Sequence, residues 1–380
     1  MFFYIGQSSP IQALQKVSER LYLDEGWKQV DNIWYKGYST DCVLSEQLSE
    51  IIKGYQPAGK WCVIHNEKIY HPIFRGFPLY RTEDNSLTNL KFDNSSVVYY
   101  DGPVIPAVAE NISLDEAAIS IGDILLENTI NFYKYNNINE MNVLYSAGLD
   151  TLTSWSVLDY YTKDYTLNVY VPNHNDSTFH KRLGRVREYE NDLTQKISNE
   201  HWGYDISSFY KETNWYLTGY YAETIQFRDG EAINALANYQ GKRIYELAKE
   251  DEYLYWFLKH PTIIEKYKNS MKKYVDEMEL KKFLFTTIYY DHQMWHIDNN
   301  MTFNPFFDYR IANTMFQLSV EDITKNCTTG LIQRKIVERF NPNLLSLLAD
   351  YKNSKNIWLN FKNNWANIKL DPMVKINLHK

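Results

Sequence analysis

Met141-Asn-Val-Leu-Tyr-Ser-Ala-Gly-Leu-Asp-Thr151 carries three local signals in succession. Val143-Leu144-Tyr145 is a short apolar run. Ser146-Ala147-Gly148 is a tight turn of small residues. From Leu149-Asp150-Thr151 onward, apolar positions recur at helical spacing: Leu152, Trp155, Leu158, then Tyr160 or Tyr161. The pattern reads as strand, loop, helix. Small residues let a backbone come close to a ligand, and a helix that starts there turns its first N–H groups and positive dipole end toward it. Such a junction suits an anion, phosphate above all. An ordinary strand-to-helix turn uses the same residue types, and spacing alone does not separate the two.

Working outward, Leu167-Asn-Val-Tyr-Val171 reads as the next strand. Residues 179–199 are charged and read as helix, with Glu188, Asp192 and Lys196 on one face. Tyr204-Asp-Ile206 reads as a third short strand. Strands alternating with helices predict a parallel sheet covered on both faces, with a ligand at the carboxyl ends of its strands. Residues 212–252 read as helix-rich without a definite period. Residues 253–290 are more clearly helical, and their dense charge (Lys266, Lys268, Lys272, Lys273, Glu277, Glu279) fits a solvated face. Asn304-Pro-Phe-Phe-Asp308 interrupts the helical pattern, which resumes over 309–318, 331–340 and 344–350.

Upstream, residues 1 to about 110 read mostly as strands and turns. Trp34–Tyr38, Trp61–His65 and Ser96–Tyr100 are β-prone, and His65-Asn-Glu-Lys68 looks like a hairpin turn into Ile69-Tyr70. Ser113 with Glu116 three residues on forms a capping box, and Ala117, Ile121, Ile124, Leu125 and Ile130 continue a helix.

At 380 residues the chain can hold two domains. No apolar stretch reaches the ~18 residues of a membrane span. Met1-Phe-Phe-Tyr-Ile has neither the basic start nor the long apolar core of a secretory signal. Three scattered cysteines (Cys42, Cys62, Cys327) fit a reducing compartment rather than a disulfide framework or a zinc site. A cytoplasmic protein is expected. A net charge of −7 gives no basic footprint for nucleic acid. The 32 tyrosines fit biased genomic composition, with rings filling core and half-buried positions.

Several of these stretches, in order, resemble asparagine synthetase and its relatives. Ser146-Ala-Gly-Leu-Asp-Thr151 resembles the Ser-Gly-Gly-x-Asp-Ser/Thr loop of the N-type ATP pyrophosphatases, the PP-loop superfamily. His71-Pro-Ile-Phe-Arg75-Gly-Phe-Pro78-Leu79-Tyr80 resembles the Arg-Asp-x-x-Gly-x-x-Pro-Leu-Tyr run that closes the glutaminase-type domain. Glu188 resembles an acidic position on the family's second helix. Asn304–Asp308 resembles Val-Pro-Phe-Leu-Asp, and Lys335-x-x-Glu338-Arg339-Phe340 followed by Leu347-Leu348-x-x-Tyr351-Lys352 resembles the family's ending. The resemblance implies an α/β protein in two parts. Residues 1–112 would be an antiparallel layered α+β domain of N-terminal-nucleophile (Ntn) type, degenerate. Residues 113–380 would be a parallel-sheet ATP-pyrophosphatase domain with a helical C-terminal part.

Three departures stand out. Ala147 replaces a glycine, adding a methyl that is tolerated where φ is negative. The family's catalytic Cys follows the initiator Met, whereas position 2 here is Phe2, and Cys42 has no His–Asn or α-amine partner. Glutamine hydrolysis by this chain is therefore not expected. The family's Ser-Gly-Glu-Gly-x-Asp-Glu loop is not intact. Its counterpart is either Leu217-Thr-Gly-Tyr-Tyr-Ala-Glu223 or the 241–252 segment with Glu250-Asp251-Glu252, and a plain helix remains open for both. Arg228 either matches a substrate-side arginine or is a surface residue.

The chemistry the resemblance implies is ATP-dependent activation of a carboxylate. ATP would lie over Leu144, Ser146, Ala147, Gly148, Leu149, Asp150 and Thr151, with Val169 and Val171 lining the adenine pocket by their backbone. Asp150 would position Mg²⁺, and Lys352 would face the developing negative charge. An amine or ammonia would then displace AMP. The nitrogen would be free ammonia, an amine on another molecule as in beta-lactam synthetase and lasso-peptide cyclase, or ammonia from a separate glutaminase. A homodimer is compatible with this scheme. Two other readings remain: a pseudoenzyme or scaffold that keeps the fold, and a PP-loop enzyme of nucleobase or tRNA modification.

Overall fold

The computed structural model describes residues 2–7, 14–73, 77, 79–89, 96–97, 111–138, 140–145, 148–169, 191–192, 215–219, 222 and 302–348. The first part of the chain supplies ten strands: β1 (Phe3–Ile5), β2 (Gln15–Lys16), β3 (Leu21–Leu23), β4 (Lys28–Val30), β5 (Ile33–Ser39), β6 (Gly59–His65), β7 (Lys68–Tyr70), β8 (Tyr80–Arg81), β9 (Leu87–Thr88) and β10 (Ser96–Val97). They form two antiparallel sheets, one ordered β10-β8-β9-β1-β3-β2 and one ordered β4-β5-β6-β7. The predicted hairpin joins β6 to β7, where Asn66 and Glu67 both take the positive φ that a tight turn demands.

Alternation along β6 sets the layering. Cys62 and Ile64 join Phe3, Ile5, Leu21 and Leu23 of the other sheet in one core. Trp61 and Val63 face the opposite way, onto Leu48 and Ile51 of a short helix, α1 (Leu48–Ile52), which the sequence reading had not separated from the strands. The antiparallel, layered reading of this part therefore stands.

Ser113 caps α2 (Leu114–Asn136) through its side chain and the reciprocal Glu116 contact, as the capping box predicts. β11 (Met141–Tyr145) follows, then α3 (Leu149–Tyr161) and β12 (Thr166–Val169). β13 (Asn191–Asp192), β14 (Trp215–Leu217) and β15 (Thr302–Phe303) complete a five-stranded sheet in which every described pair is parallel. Its order is β13-β12-β11-β14-β15. Met141, Val143 and Tyr145 share one face of β11, where they join Phe132, Leu152, Trp155, Leu158, Leu217 and Phe303 in one core cluster. The opposite face carries Asn142, whose carbonyl accepts from Asn168 Nδ2 at 3.0 Å.

Three helices close the described chain: α4 (Tyr309–Phe316), α5 (Val320–Thr329) and α6 (Leu331–Phe340). Gly330, at φ 59°, ends α5 in the left-handed conformation and starts α6. α6 is fastened to α2 by Lys335–Asp115 and Arg339–Asp123 ion pairs, both 2.6 Å.

Some expectations are corrected. Asp192 lies in β13, not on a helix face, because Val169↔Asp192 pairing recruits this stretch into the sheet. Trp215–Leu217 is a strand inside the stretch read as helix-rich, since it pairs with β11 on one side and β15 on the other. The segment after α6 is a 3-10 helix over Pro342–Leu347, tightened by Pro342 at its start, rather than an α-helix over 344–350. α5 was not anticipated. The expected strand at 204–206 and the helices at 253–290 lie outside the described residues. Among the described residues, no helix is long and apolar enough to cross a membrane.

Candidate functional site

The parallel sheet reverses its order at β11. β12 and β13 extend to one side of it, β14 and β15 to the other. The crevice beyond the carboxyl ends of β11 and β14 is thus a topological switch point, where open α/β sheets bind their ligands. β11 ends there at Tyr145, and α3 starts at Leu149 after three intervening residues.

At the start of α3, Gly148 is the N-cap in extended conformation and supplies no side chain to the first turn. Asp150 lies in that turn, where a carboxylate suits the positive end of the helix dipole. Leu149 and Thr151 are both buried, at 8% and 6% exposure. Leu149 belongs to the core cluster, so only its backbone is left to meet a ligand. Leu144 is in β11, and Val169 ends β12 directly opposite Tyr145. The structure therefore brings Leu144, Gly148, Leu149, Asp150, Thr151 and Val169 to one end of the sheet. Ser146, Ala147, Val171, Glu188, Arg228 and Lys352 lie outside the described residues.

The loop after β14 meets this helix start. An added Cβ on Gly219 would fall 2.3 Å from the Thr151 nitrogen, 2.5 Å from the Asp150 carbonyl carbon and 2.8 Å from the Asp150 Cβ. Only a glycine permits that approach. One residue earlier, Thr218 is 3% exposed and its hydroxyl has no hydrogen-bond partner among the described residues. An unsatisfied hydroxyl beside a helix start is a group in search of a polar ligand. Of the two stretches proposed to face the 146–151 loop, the described part of the first, Leu217-Thr218-Gly219, brings Gly219 against Asp150 and Thr151 at the start of α3. Glu223 and residues 241–252 lie outside the described residues.

Asp150 has a partner that the sequence did not suggest. Gln333 of α6 is fully buried, and its Nε2 donates to Asp150 Oδ1. No local pattern marks a glutamine on a helix as the neighbour of a loop so distant in sequence.

The Asn304–Asp308 stretch follows β15 and serves to hold elements together. Asp308 caps α4, accepts from Asn128 Nδ2 at 3.1 Å and receives the Arg310 guanidinium at 2.7 Å. Arg310 also reaches Glu127 at 2.7 Å. Burial alone would lower the Arg310 pKa, but its bonds to Asp308 and Glu127 outweigh that and hold it above its ordinary value. A small, open cleft beside Asp308 is lined by Gln56, Pro72 and Ile73 of the antiparallel part and by Phe307 and Tyr309.

Cys42 is half-buried with Ser39 as its neighbour at 3.5 Å. Burial pushes its thiol up from the ordinary value, with Asp41 adding to the shift, so thiolate is scarce near neutral pH. The Phe2 N–H donates to Asp24 Oδ1 at 2.9 Å. No described cluster of three or more His, Cys, Asp or Glu side chains could by itself hold a metal ion. A lone Asp150 nonetheless fits magnesium, which takes one or two carboxylates and completes its shell with water and substrate phosphates.

No protein-family model matches this chain, and no curated protein matches it.

Proposed function

We propose that the chain is an ATP-dependent carbon–nitrogen ligase of the asparagine-synthetase type, with an Ntn-like first part that does not hydrolyse glutamine. The observation that carries this is the junction at the switch point: the Gly148–Thr151 helix start, with Gly219 held against it by the lack of a side chain. The close packing fixes the β14 end beside the start of α3, and a helix N-terminus at a switch point is suited to a phosphate.

In this scheme the substrate carboxylate attacks the α-phosphorus of ATP. The bond from the α-phosphorus to the bridging oxygen breaks, and pyrophosphate leaves with that electron pair. The N–H groups of the first turn of α3, with Thr151 and Thr218, bind the leaving phosphates and orient them in line. Magnesium bound with the nucleotide supplies charge neutralisation on the phosphates. Asp150 would hold it, and Lys352 would face the negative charge as it develops. An amine or ammonia then attacks the acyl carbon, AMP departs, and the nitrogen gives up a proton to solvent. Burial raises the Cys42 thiol, so Cys42 is a poor candidate for a glutaminase nucleophile.

A pseudoenzyme is the second reading, favoured by Ala147 in the loop and by the altered Ser-Gly-Glu-Gly-x-Asp-Glu stretch. The test is incubation with ATP and Mg²⁺ across carboxylates and amines, read as AMP and pyrophosphate. Amine-dependent release of both, abolished in Asp150→Ala, is the expected result. No nucleotide binding at millimolar ATP overturns the ligase; binding without turnover leaves the pseudoenzyme. Release that persists in Asp150→Ala overturns the site.

A further inference from the structure

Gln333 is a polar side chain in an apolar place. It is fully buried, and its neighbours along α6, Ile332, Ile336 and Val337, are fully buried hydrophobics. Packing alone would be served as well by an apolar residue of similar volume. The carboxamide adds polar groups, and one of its N–H donors goes to Asp150 Oδ1.

We infer that Gln333 is a positioning residue for Asp150, orienting its carboxylate for the magnesium that would accompany the nucleotide. The inference rests on the nucleotide-binding reading above. The residue type fits the task. A lysine or arginine would neutralise the carboxylate and compete with a cation. A glutamate would repel it and supply no donor. A neutral carboxamide orients the group and leaves its charge intact, which is how hydrogen-bond partners behind a metal ligand act.

α6 packs on α2. α6 is held to α2 by the Lys335 and Arg339 ion pairs. Phe340 and Ile336 of α6 also lie within contact distance of where a Cβ on Gly122 of α2 would be. Asp150 is bounded on its backbone side by Gly219. Gln333 therefore approaches the carboxylate from one side while the β14 loop backs it from another.

The test is calorimetric titration of the full chain with a non-hydrolysable ATP analogue at graded Mg²⁺, so that turnover is not the readout. Gln333→Met keeps length and volume and removes the donor; Gln333→Asn keeps the carboxamide but falls short of Asp150. In either, the Mg²⁺ concentration needed for half-maximal binding is expected to rise on the order of tenfold, with analogue affinity at saturating Mg²⁺ nearly unchanged. In an Asp150→Asn background, Gln333→Met is expected to add nothing further. An unchanged Mg²⁺ requirement in a folded variant overturns the inference and leaves the functional reading standing. A shift that persists in full beside Asp150→Asn overturns it too, because the effect then runs through another group. If neither variant folds, Gln333 is a core-building residue and the inference falls. A wild-type chain that binds no analogue overturns both.

Discussion

Two residues make sharp demands at the smallest scale. Gly219→Ala would drive a methyl into the backbone of the α3 start, with contacts as close as 2.3 Å. Because the obstacle is main chain, relief requires β14 or α3 to move. We expect a loss of roughly 1–3 kcal/mol in urea unfolding together with loss of nucleotide affinity. Asp159 is the other. It accepts from Tyr165 Oη, Asn341 Nδ2 and Lys163 Nζ. Burial pushes its carboxyl up, but these bonds, Lys163 first, outweigh burial and hold it below its ordinary value of 3.8. A carboxyl depressed in the folded state stabilises above its unfolded pKa, and that stability is lost as pH falls through the folded value. Asp159→Asn is therefore expected to flatten the acid limb of the stability curve below about pH 4; a mutant curve parallel to wild type down to pH 2 would contradict this. Asp150 could be singled out from sequence because its context is local, a helix start after a small-residue turn. Gln333 could not, because its role exists only once α6 has packed. Thr218 and Gly219 were half visible, as a strand-like run ending in a small-residue pair.

At the scale of elements, legibility followed length and period. α2 was readable from Ser113 and Glu116 and a long apolar repeat. Removing its cap by Ser113→Ala is expected to cost about 1 kcal/mol, seen as a lowered thermal midpoint. Glu116→Ala, which removes the reciprocal contact, will shift it the same way. β11, β12 and the paired strands β5, β6 and β7 were equally legible. β13, β14 and β15 were not, being two or three residues long. Two or three residues hold no period at all, whether the strand is central like β14 or at an end of the described sheet like β13 and β15. Their conformation comes from the neighbours they pair with. The 3-10 helix at Pro342–Leu347 is a related case: its apolar residues fit either helix type, and the proline with the tight packing of Leu344, Leu345 and Leu347 decides between them.

Across the whole molecule, Tyr38 joins the antiparallel part to the parallel one. Its ring stands edge-on to Phe132 at 5.0 Å and to Trp215 and Phe303 at 5.7 Å, and its hydroxyl accepts from the Asn304 N–H at 3.2 Å. Asn136 Nδ2 reaches Ser39 O nearby at 2.9 Å. Tyr38→Ala is expected to cost about 3–5 kcal/mol and to lower hydrogen-exchange protection in β5 and α2 together; loss confined to β5 would show that the two parts are only weakly joined. The strand order has a further consequence, in time rather than in space. β11 and β12 are linked by the compact α3 crossover, so their pairing closes a short loop. β14 joins β11 only after a much longer excursion, and β15 joins β14 after one longer still. Since closure entropy rises with loop length and distant pairings slow folding, the half of the crevice that carries Asp150 is expected to form early, and the half that carries Thr218 and Gly219 late. The pocket is then the last thing this chain builds, and a ligand that bridges both halves would act on the final step of its maturation.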